Sequence, residues 1–257
     1  IMAKMYDDRV IYKKKMLEAK KEYEKTKNSD LLKEISRYDN LQMAKKIQLN
    51  SAYGAIGNPY FRFFDINQAT AITLGGQLSI RWAENEMNKY LNKLLKTEDE
   101  DYVIASDTDS LYITFDRLVS MVFENRGSVE RQADDRKEKI VNFLDKVASE
   151  KIEPVIDRIY SDLAVRMGAY AQKMNMKREV IADRGIWTAK KRYILNVHDS
   201  EGVRYAKAKL KIMGIEAVKS STPAVCRKAI IDGLNIIMSQ SEEDLHKFIA
   251  EFKEQFF

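Results

Sequence analysis

Cysteine is almost missing: Cys226 stands alone among 257 residues. No internal disulfide can form, and the expectation is a reducing cytoplasmic setting with Cys226 as a small filler on a helix face. Histidine is nearly as scarce, and His198 and His246 lie too far apart to suggest a zinc site. No apolar run reaches the roughly 18 residues that a membrane span needs, and no signal-peptide pattern occurs, so no membrane partner is expected. Low-complexity segments and internal repeats are also missing. Residues 1–27 contain neither glycine nor proline, which removes every breaker from a charged stretch rich in Lys, Glu, Met and Tyr.

What is present is enough apolar content, 45%, for a sizeable core or for two or three modest units. The net charge of +5 is modest, but its distribution is not even. Arg9 to Lys27 and Arg184 to Lys228 are strongly basic with acidic segments between, a pattern that suits a polyanion contacted in two places.

Helix is expected over 1–27, broken at Asn28-Ser29-Asp30, which offers an N-cap for a second helix from about Leu31 to Ser51. So short a turn forces an antiparallel helical hairpin. Lys46, Asn50 and Tyr53 fall at i, i+4 and i+7 on one face of the second helix, and Arg9 and Lys13 are four apart on the first. Antiparallel packing would gather Arg9, Lys13 and Lys46, with Asn50 a turn on, into a cationic cluster suited to a triphosphate. The plainer reading is a solvated basic face, the usual fate of helix lysines. Asp65 followed by Gln68 resembles a capping box and opens a helix to about Leu95, whose Gly75-Gly76 costs stability unless something approaches its backbone. Trp82 and the Leu and Ile positions of this helix read as core.

Tyr102–Ala105 and Leu111–Phe115 are β-rich runs around a polar turn, so a hairpin is expected that carries Asp107 and Asp109. Paired carboxylates on a rigid turn suit a hard divalent cation; an ordinary polar turn is the alternative. Residues 116–136 read as polar connection, and Lys137–Met167 as helix interrupted at Pro154. Two strands follow, Lys177–Asp183 and Ile186–Val197, turning at Asp183-Arg-Gly185, and alternation along the second places Lys191 and Tyr193 on one face. Val203–Lys219 is basic, with Gly214 as its only obvious turn. A helix is expected from Thr222-Pro223, and a further amphipathic helix over 241–257.

Four of these stretches, in this order, resemble the family B DNA polymerases: Lys46-x-x-x-Asn50-Ser-x-Tyr53-Gly54, Asp107-Thr-Asp109-Ser, Lys190-Lys191-Arg-Tyr193, and Lys209-x-Lys211-x-x-Gly214-x-Glu216-x-x-Lys-Ser-Ser-Thr-Pro. The likeness spans nearly the whole chain and is strongest to replicative enzymes of T-even-type phages. It implies an α+β fold, with a helical-hairpin fingers domain over 1–57 and the carboxyl part of a palm over 58–214. That palm would be an antiparallel sheet packed by helices, and a mainly helical partial thumb would follow over 215–257. It implies nucleotidyl transfer from a dNTP to a primer 3′-hydroxyl with two Mg²⁺ ions. Asp109 would be a direct metal ligand, with Asp107 and Glu179 as nearby carboxylates. Arg9, Lys13 and Lys46 would bind the triphosphate with help from Asn50. Tyr53 and Gly54 would face the nascent base pair. Lys191 and Tyr193 would hold the primer, and Lys209 and Lys211 would follow the duplex of primer-template DNA.

The family's other metal-binding aspartate belongs to an Asp-x-x-Ser-Leu-Tyr-Pro-Ser motif, which does not occur in these residues. The expectation is therefore a fragment or one half of a split polymerase, inactive without an upstream half, with any sliding clamp meeting segments not present here. A phage origin would place it in the cytoplasm of a bacterial host. Two other classes fit parts of the pattern. An Asp-x-Asp glycosyltransferase would hold Mn²⁺ on a nucleotide-sugar, but has no use for the basic helical hairpin. A non-enzymatic DNA-binding module would use only the basic faces and would be indifferent to Asp109→Asn.

Overall fold

The structure, a computed structural model, describes residues 2–123 and 133–254. The middle of the expected 116–136 connection and the last three residues of the final expected helix lie outside the described residues. Two compact units emerge, Ile1–Glu179 with Glu201–Val203, and Val180–Ser200 with Arg204–Phe257. Both are mixtures of helix with small antiparallel sheets, an α+β construction.

The first unit opens with α1 (Met2–Thr26) and α2 (Asp30–Ile56). Lys27 adopts a left-handed φ of 54° after α1, and the side chain of Asn28 accepts from the Asp30 N–H at 3.0 Å, so the break falls where the polar triplet predicts. Ser29, the residue before α2, makes no side-chain cap bond. The two helices run antiparallel: Asp8 pairs with Lys45 at 3.1 Å, and the rings of Tyr12 and Tyr38 stack at 6.4 Å.

Asp65 caps α3 (Ile66–Leu95) as expected, its carboxylate accepting from the N–H groups of Asn67 and Gln68 at 2.9 and 3.2 Å. Ala83, Met87, Leu91 and Leu95 recur every fourth residue and make one buried stripe. They pack with Tyr102 and Val103 of the hairpin and with Val155, Ile156, Ile159 and Tyr160 of α6 (Glu153–Arg166). The expectation of core holds for Leu91 and Leu95, and Trp82 packs partly buried against them. It fails for Ile66, Ile72, Leu74 and Leu78, which are exposed. In the first half of α3 the buried residues are the small Ala69 and Ser79.

The hairpin is formed by β1 (Val103–Asp107) and β2 (Ser110–Ile113), antiparallel, with Asp107 opposite Ser110. An isolated two-stranded hairpin is marginal in water, so its rigidity comes from α3. Asn88 of that helix accepts the N–H groups of Tyr102 and Val103, each at 3.0 Å, and donates to Asp101 at 2.7 Å. Asn92 exchanges bonds with the backbone of Glu100 in the same way. The expected connection after the hairpin is in part a helix, α4 (Asp116–Phe123), followed after the undescribed residues by α5 (Ala133–Val147). The predicted break near Pro154 takes the form of a π-helical turn, Ala148–Ile152. Proline lacks the N–H and crowds the carbonyl four residues back, and a widened turn accommodates both.

In the second unit the turn expected at Asp183-Arg-Gly185 is not a turn. β3 (Val180–Ala189) runs straight through it, with irregular register at Ala182–Arg184, and reverses at Lys190-Lys191 into β4 (Arg192–Ser200). Gly185 is there for packing. A Cβ on it would lie 2.7 Å from the Trp187 ring and 2.9 Å from Leu195. Glu201 and Gly202, both at positive φ, then turn the chain into β5 (Val203–Met213), so the basic segment after residue 203 is a strand in the order β3-β4-β5. A short 3₁₀ turn (Glu216–Val218) leads to α7 (Ala224–Ser239), with Pro223 as the residue just before it, and α8 (Glu242–Glu254) closes the unit. Cys226 is half-buried on α7.

Asn88→Ala leaves two backbone N–H groups at the start of β1 without their acceptor. The expected cost is about 1–3 kcal/mol, read as a lower midpoint in chemical denaturation. A midpoint unchanged from wild type would show that water replaces Asn88 there.

Candidate functional site

Asp107 ends β1 and Asp109 lies in the two-residue turn that follows. Thr108 takes a left-handed φ of 51°, and the Asp109 N–H donates back to the Asp107 carbonyl, which also accepts from the Ser110 hydroxyl at 3.1 Å. These bonds hold the turn tight. The Asp107 carboxylate is engaged by the Thr108 hydroxyl at 2.9 Å. That of Asp109 is exposed and has neither hydrogen bond nor ion pair among the described residues.

One residue with no sequence signal joins this site. Tyr160, on the buried stripe of α6, has its phenol held above the usual tyrosine range, first by burial and then by the negative charge of Asp109. In sequence it is one residue of the helix expected over Lys137–Met167. Glu179, the third expected carboxylate, is exposed just before β3, and its carbonyl accepts from the Glu201 N–H at 2.6 Å. Among the described residues no three His, Cys, Asp or Glu side chains are grouped to hold a metal ion. The hairpin carboxylates are oxygen donors of the kind Mg²⁺ prefers, but two are too few. They fit one wall of a metal site and not a whole one.

The cations of the helical hairpin are only partly gathered. The Asp8–Lys45 and Tyr12–Tyr38 contacts fix the register of α1 against α2, so Lys46, Arg9 and Lys13 spread over roughly two helical turns, about 10 Å. Lys13 is already engaged by Glu201, an ion pair that the sequence offered no means of foreseeing. The Nε of Arg9 is enclosed without a hydrogen-bond partner among the described residues, and Lys46 is exposed with no ion pair there. Asn50 is exposed one turn on. Tyr53 is exposed too, its hydroxyl 2.6 Å from that of Thr73 on α3. A Cβ built on Gly54 meets nothing within 4 Å, and the same holds for Gly75 and Gly76. No packing within the described residues requires any of the three glycines.

In the second unit, Lys191 and Tyr193 do not share a strand face, contrary to the expected alternation. Lys191 sits in the β3–β4 turn at φ 62°, exposed, whereas Tyr193 lies within β4, buried, with its ring 6.3 Å from that of Trp187. β5 alternates Tyr205, Lys207, Lys209 and Lys211 with Ala206, Ala208, Leu210 and Ile212, which gives one basic edge row. The Lys209 ammonium lies 4.1 Å from the centre of the Tyr205 ring. His198 faces Asp183 at 3.1 Å, and His246 faces Glu242 at 3.6 Å, so each histidine has a carboxylate partner of its own. No helix among the described residues is long and apolar enough to cross a membrane.

The first unit carries the hairpin carboxylates and the helix-borne cations, and the second carries the strand-borne lysine row. Comparison with known proteins identifies the family. The family model for DNA polymerase family B matches residues 1–135, and that for divergent family B DNA polymerase matches residues 93–251. The chain is 38% identical over 223 residues to the DNA-directed DNA polymerase of Enterobacteria phage T4, covering 84% of this chain and 24% of that protein. It is 42% identical over 209 residues to the DNA-directed DNA polymerase of Escherichia phage RB69, covering 78% of this chain and 22% of that one. The chain belongs to the family B DNA polymerases, and it spans about a quarter of the length of the curated relatives it matches.

The Tyr160 phenol supplies a probe of the turn. Its raised pKa means that the contribution to stability is complete below the ordinary value of 10.0 and is lost as pH climbs above it. Asp109→Asn removes the second cause of the shift. A phenolate absorbance titration, with Tyr160→Phe identifying the signal, should show the midpoint move down in Asp109→Asn. An unmoved midpoint would mean that the carboxylate is not felt at the ring.

Proposed function

We propose that this chain supplies the fingers, the carboxyl part of the palm and the start of the thumb of a template-directed DNA polymerase, with boundaries near residues 57 and 214. The observation that carries this reading is the Asp109 carboxylate. Among the described residues it stands exposed and without a hydrogen bond, on a turn held rigid by a buried core, in a chain of this family.

Asp109 would hold Mg²⁺, with Asp107 beside it and Glu179 in a lesser or indirect role; the remaining ligands would come from residues beyond these. Bound there, two ions would activate the primer 3′-hydroxyl and offset charge on the leaving pyrophosphate. The rest is the work of this chain's own side chains. Phosphoryl transfer asks a protein mainly for positioning and charge neutralisation. Arg9 and Lys46 present cations with no carboxylate partner among the described residues, and Lys13 would join them by exchanging Glu201 for a phosphate. Asn50 would donate to the same triphosphate. Tyr53, pinned through its hydroxyl, and Gly54, with open space where a side chain would be, would let the nascent base pair lie against the helix. A mid-helix glycine costs roughly 0.5–1 kcal/mol relative to alanine, and close approach of a base pair accounts for that cost.

On the other unit, Lys191 would contact the primer backbone. Tyr193, being buried, would act by holding the strand beneath it. Lys209 and Lys211 would track the duplex through its phosphates, giving binding without sequence preference that weakens with salt. The substrates would be primer-template DNA and a dNTP. The partner would be the polymerase segment carrying the second metal-binding carboxylate, in the same polypeptide or a separate one.

Primer extension with Mg²⁺ tests this directly. The chain should extend a primer only together with a polypeptide supplying the upstream palm segment, and Asp109→Asn should reduce that activity by at least about a hundredfold, the scale of losing one preorganised electrostatic contact. Extension by the chain alone would overturn the need for a second carboxylate. Full activity in Asp109→Asn would overturn the assignment of Asp109.

A further inference from the structure

Two successive sequence motifs, Lys190–Tyr193 and Lys209–Pro223, lock together in the second unit. The β3–β4 turn places Lys191 at φ 62°, a left-handed backbone that is strained for a residue with a Cβ and persists only where the surroundings enforce it. Gly214 enforces it from one side. It has a positive φ of 67° and no room for a side chain, because a Cβ would overlap the carbonyl oxygen of Lys191 and lie 3.2 Å from Cγ of Arg192. Glu216 enforces it from the other. One of its carboxylate oxygens accepts from the Arg192 guanidinium, and the other accepts from the Lys219 ammonium at 3.0 Å. The lysine bond, the residue's own backbone N–H and Arg192 together hold that carboxyl below the usual glutamate range.

All three side chains of this bridge remain more than two-fifths exposed. Ion pairs so wetted contribute little to stability. The bridge is therefore poorly placed to hold the fold together and well placed to fix the direction of one turn. Lys191 itself is exposed at the tip and has no ion pair among the described residues.

We propose that Gly214 and Glu216 are positioning residues. They do not touch nucleic acid but aim the Lys190–Arg192 turn at it, acting through the Lys191 carbonyl and the Arg192 guanidinium. The proposal rests on the reading of Lys191 as a DNA contact and adds to it the parts that make the contact rigid.

The sign of one substitution separates this role from a bystander's. A carboxylate that merely lies near DNA repels phosphate, so its neutralisation tightens binding. A carboxylate that aims a lysine does the opposite. Glu216→Gln in the full chain should weaken binding of a labelled primer-template duplex by roughly threefold and lower the salt slope by about one. It should add nothing in a Lys191→Ala background, and the thermal midpoint should barely move. Tighter binding, or an effect that simply adds to that of Lys191→Ala, would overturn the proposal.

Hydrogen exchange on the chain without DNA tests the brace independently, and avoids Gly214→Ala, which would strain the fold. Faster exchange confined to Lys190–Arg192 in Glu216→Gln supports it, and unchanged exchange overturns it. A chain whose turn loosens in this way but which binds no duplex even as wild type would keep the brace and remove the DNA-binding reading instead.

Discussion

The metal-site reading of this chain hangs on the seating of a small hairpin against α3. Two strands of four or five residues cannot hold a carboxylate steady by themselves. They do so here because Tyr102 and Val103 are buried against the Ala83–Met87–Leu91–Leu95 stripe and α6. Each fully buried large apolar side chain contributes about 1.5–3 kcal/mol. Asn88 converts that non-directional attraction into a definite register by taking the N–H groups of Tyr102 and Val103, where β1 begins. Only with the strand so fixed does the backbone bond from Asp109 to Asp107 set where the Asp109 carboxylate stands.

Charge is handled differently in the two units, with a common outcome. On the helical hairpin, within the described residues, Lys45 is paired with Asp8 and Lys13 with Glu201, while Arg9 and Lys46 have no carboxylate partner. Around the β3–β4 turn, Arg192 and Lys219 are matched through Glu216, and Lys191 has no ion pair among the described residues. On the proposed reading, matched pairs orient the backbone and the unmatched cations meet phosphate. The unrequired glycines follow the same logic in steric form: Gly54, Gly75 and Gly76 leave open space that no described side chain uses.

Much of this was legible from residues alone, and the failures have identifiable causes. The helical hairpin, the Asp65 cap and the Asp107–Asp109 hairpin follow local rules of composition, capping and alternation, and the structure has them within a few residues. The β3–β4 turn was misplaced because glycine signals two things. At Gly185 it permits the Trp187 ring to approach, while the true turn falls on two lysines that carry no turn signal. That error also put Lys191 and Tyr193 on a common face. β5 could have been read: Glu201-Gly202 is a plausible hairpin turn, and strict alternation follows it, hidden because one of its faces is lysine. Exposure of Ile72, Leu74 and Leu78 could not have been read, since burial depends on what lies opposite. Tyr160 and Glu201 enter the site through tertiary packing alone.

The central claim is that Asp109 is a metal ligand presented by a rigid turn, and paramagnetic Mn²⁺ in place of Mg²⁺ tests it on the chain as it stands. Amide resonances should broaden first and most at Asp107–Ser110, with the effect lost in Asp109→Asn while the rest of the spectrum, including the Tyr102–Val103 amides, stays in place. Broadening that ignores Asp109→Asn, or that centres on another cluster of carboxylates, would contradict the account.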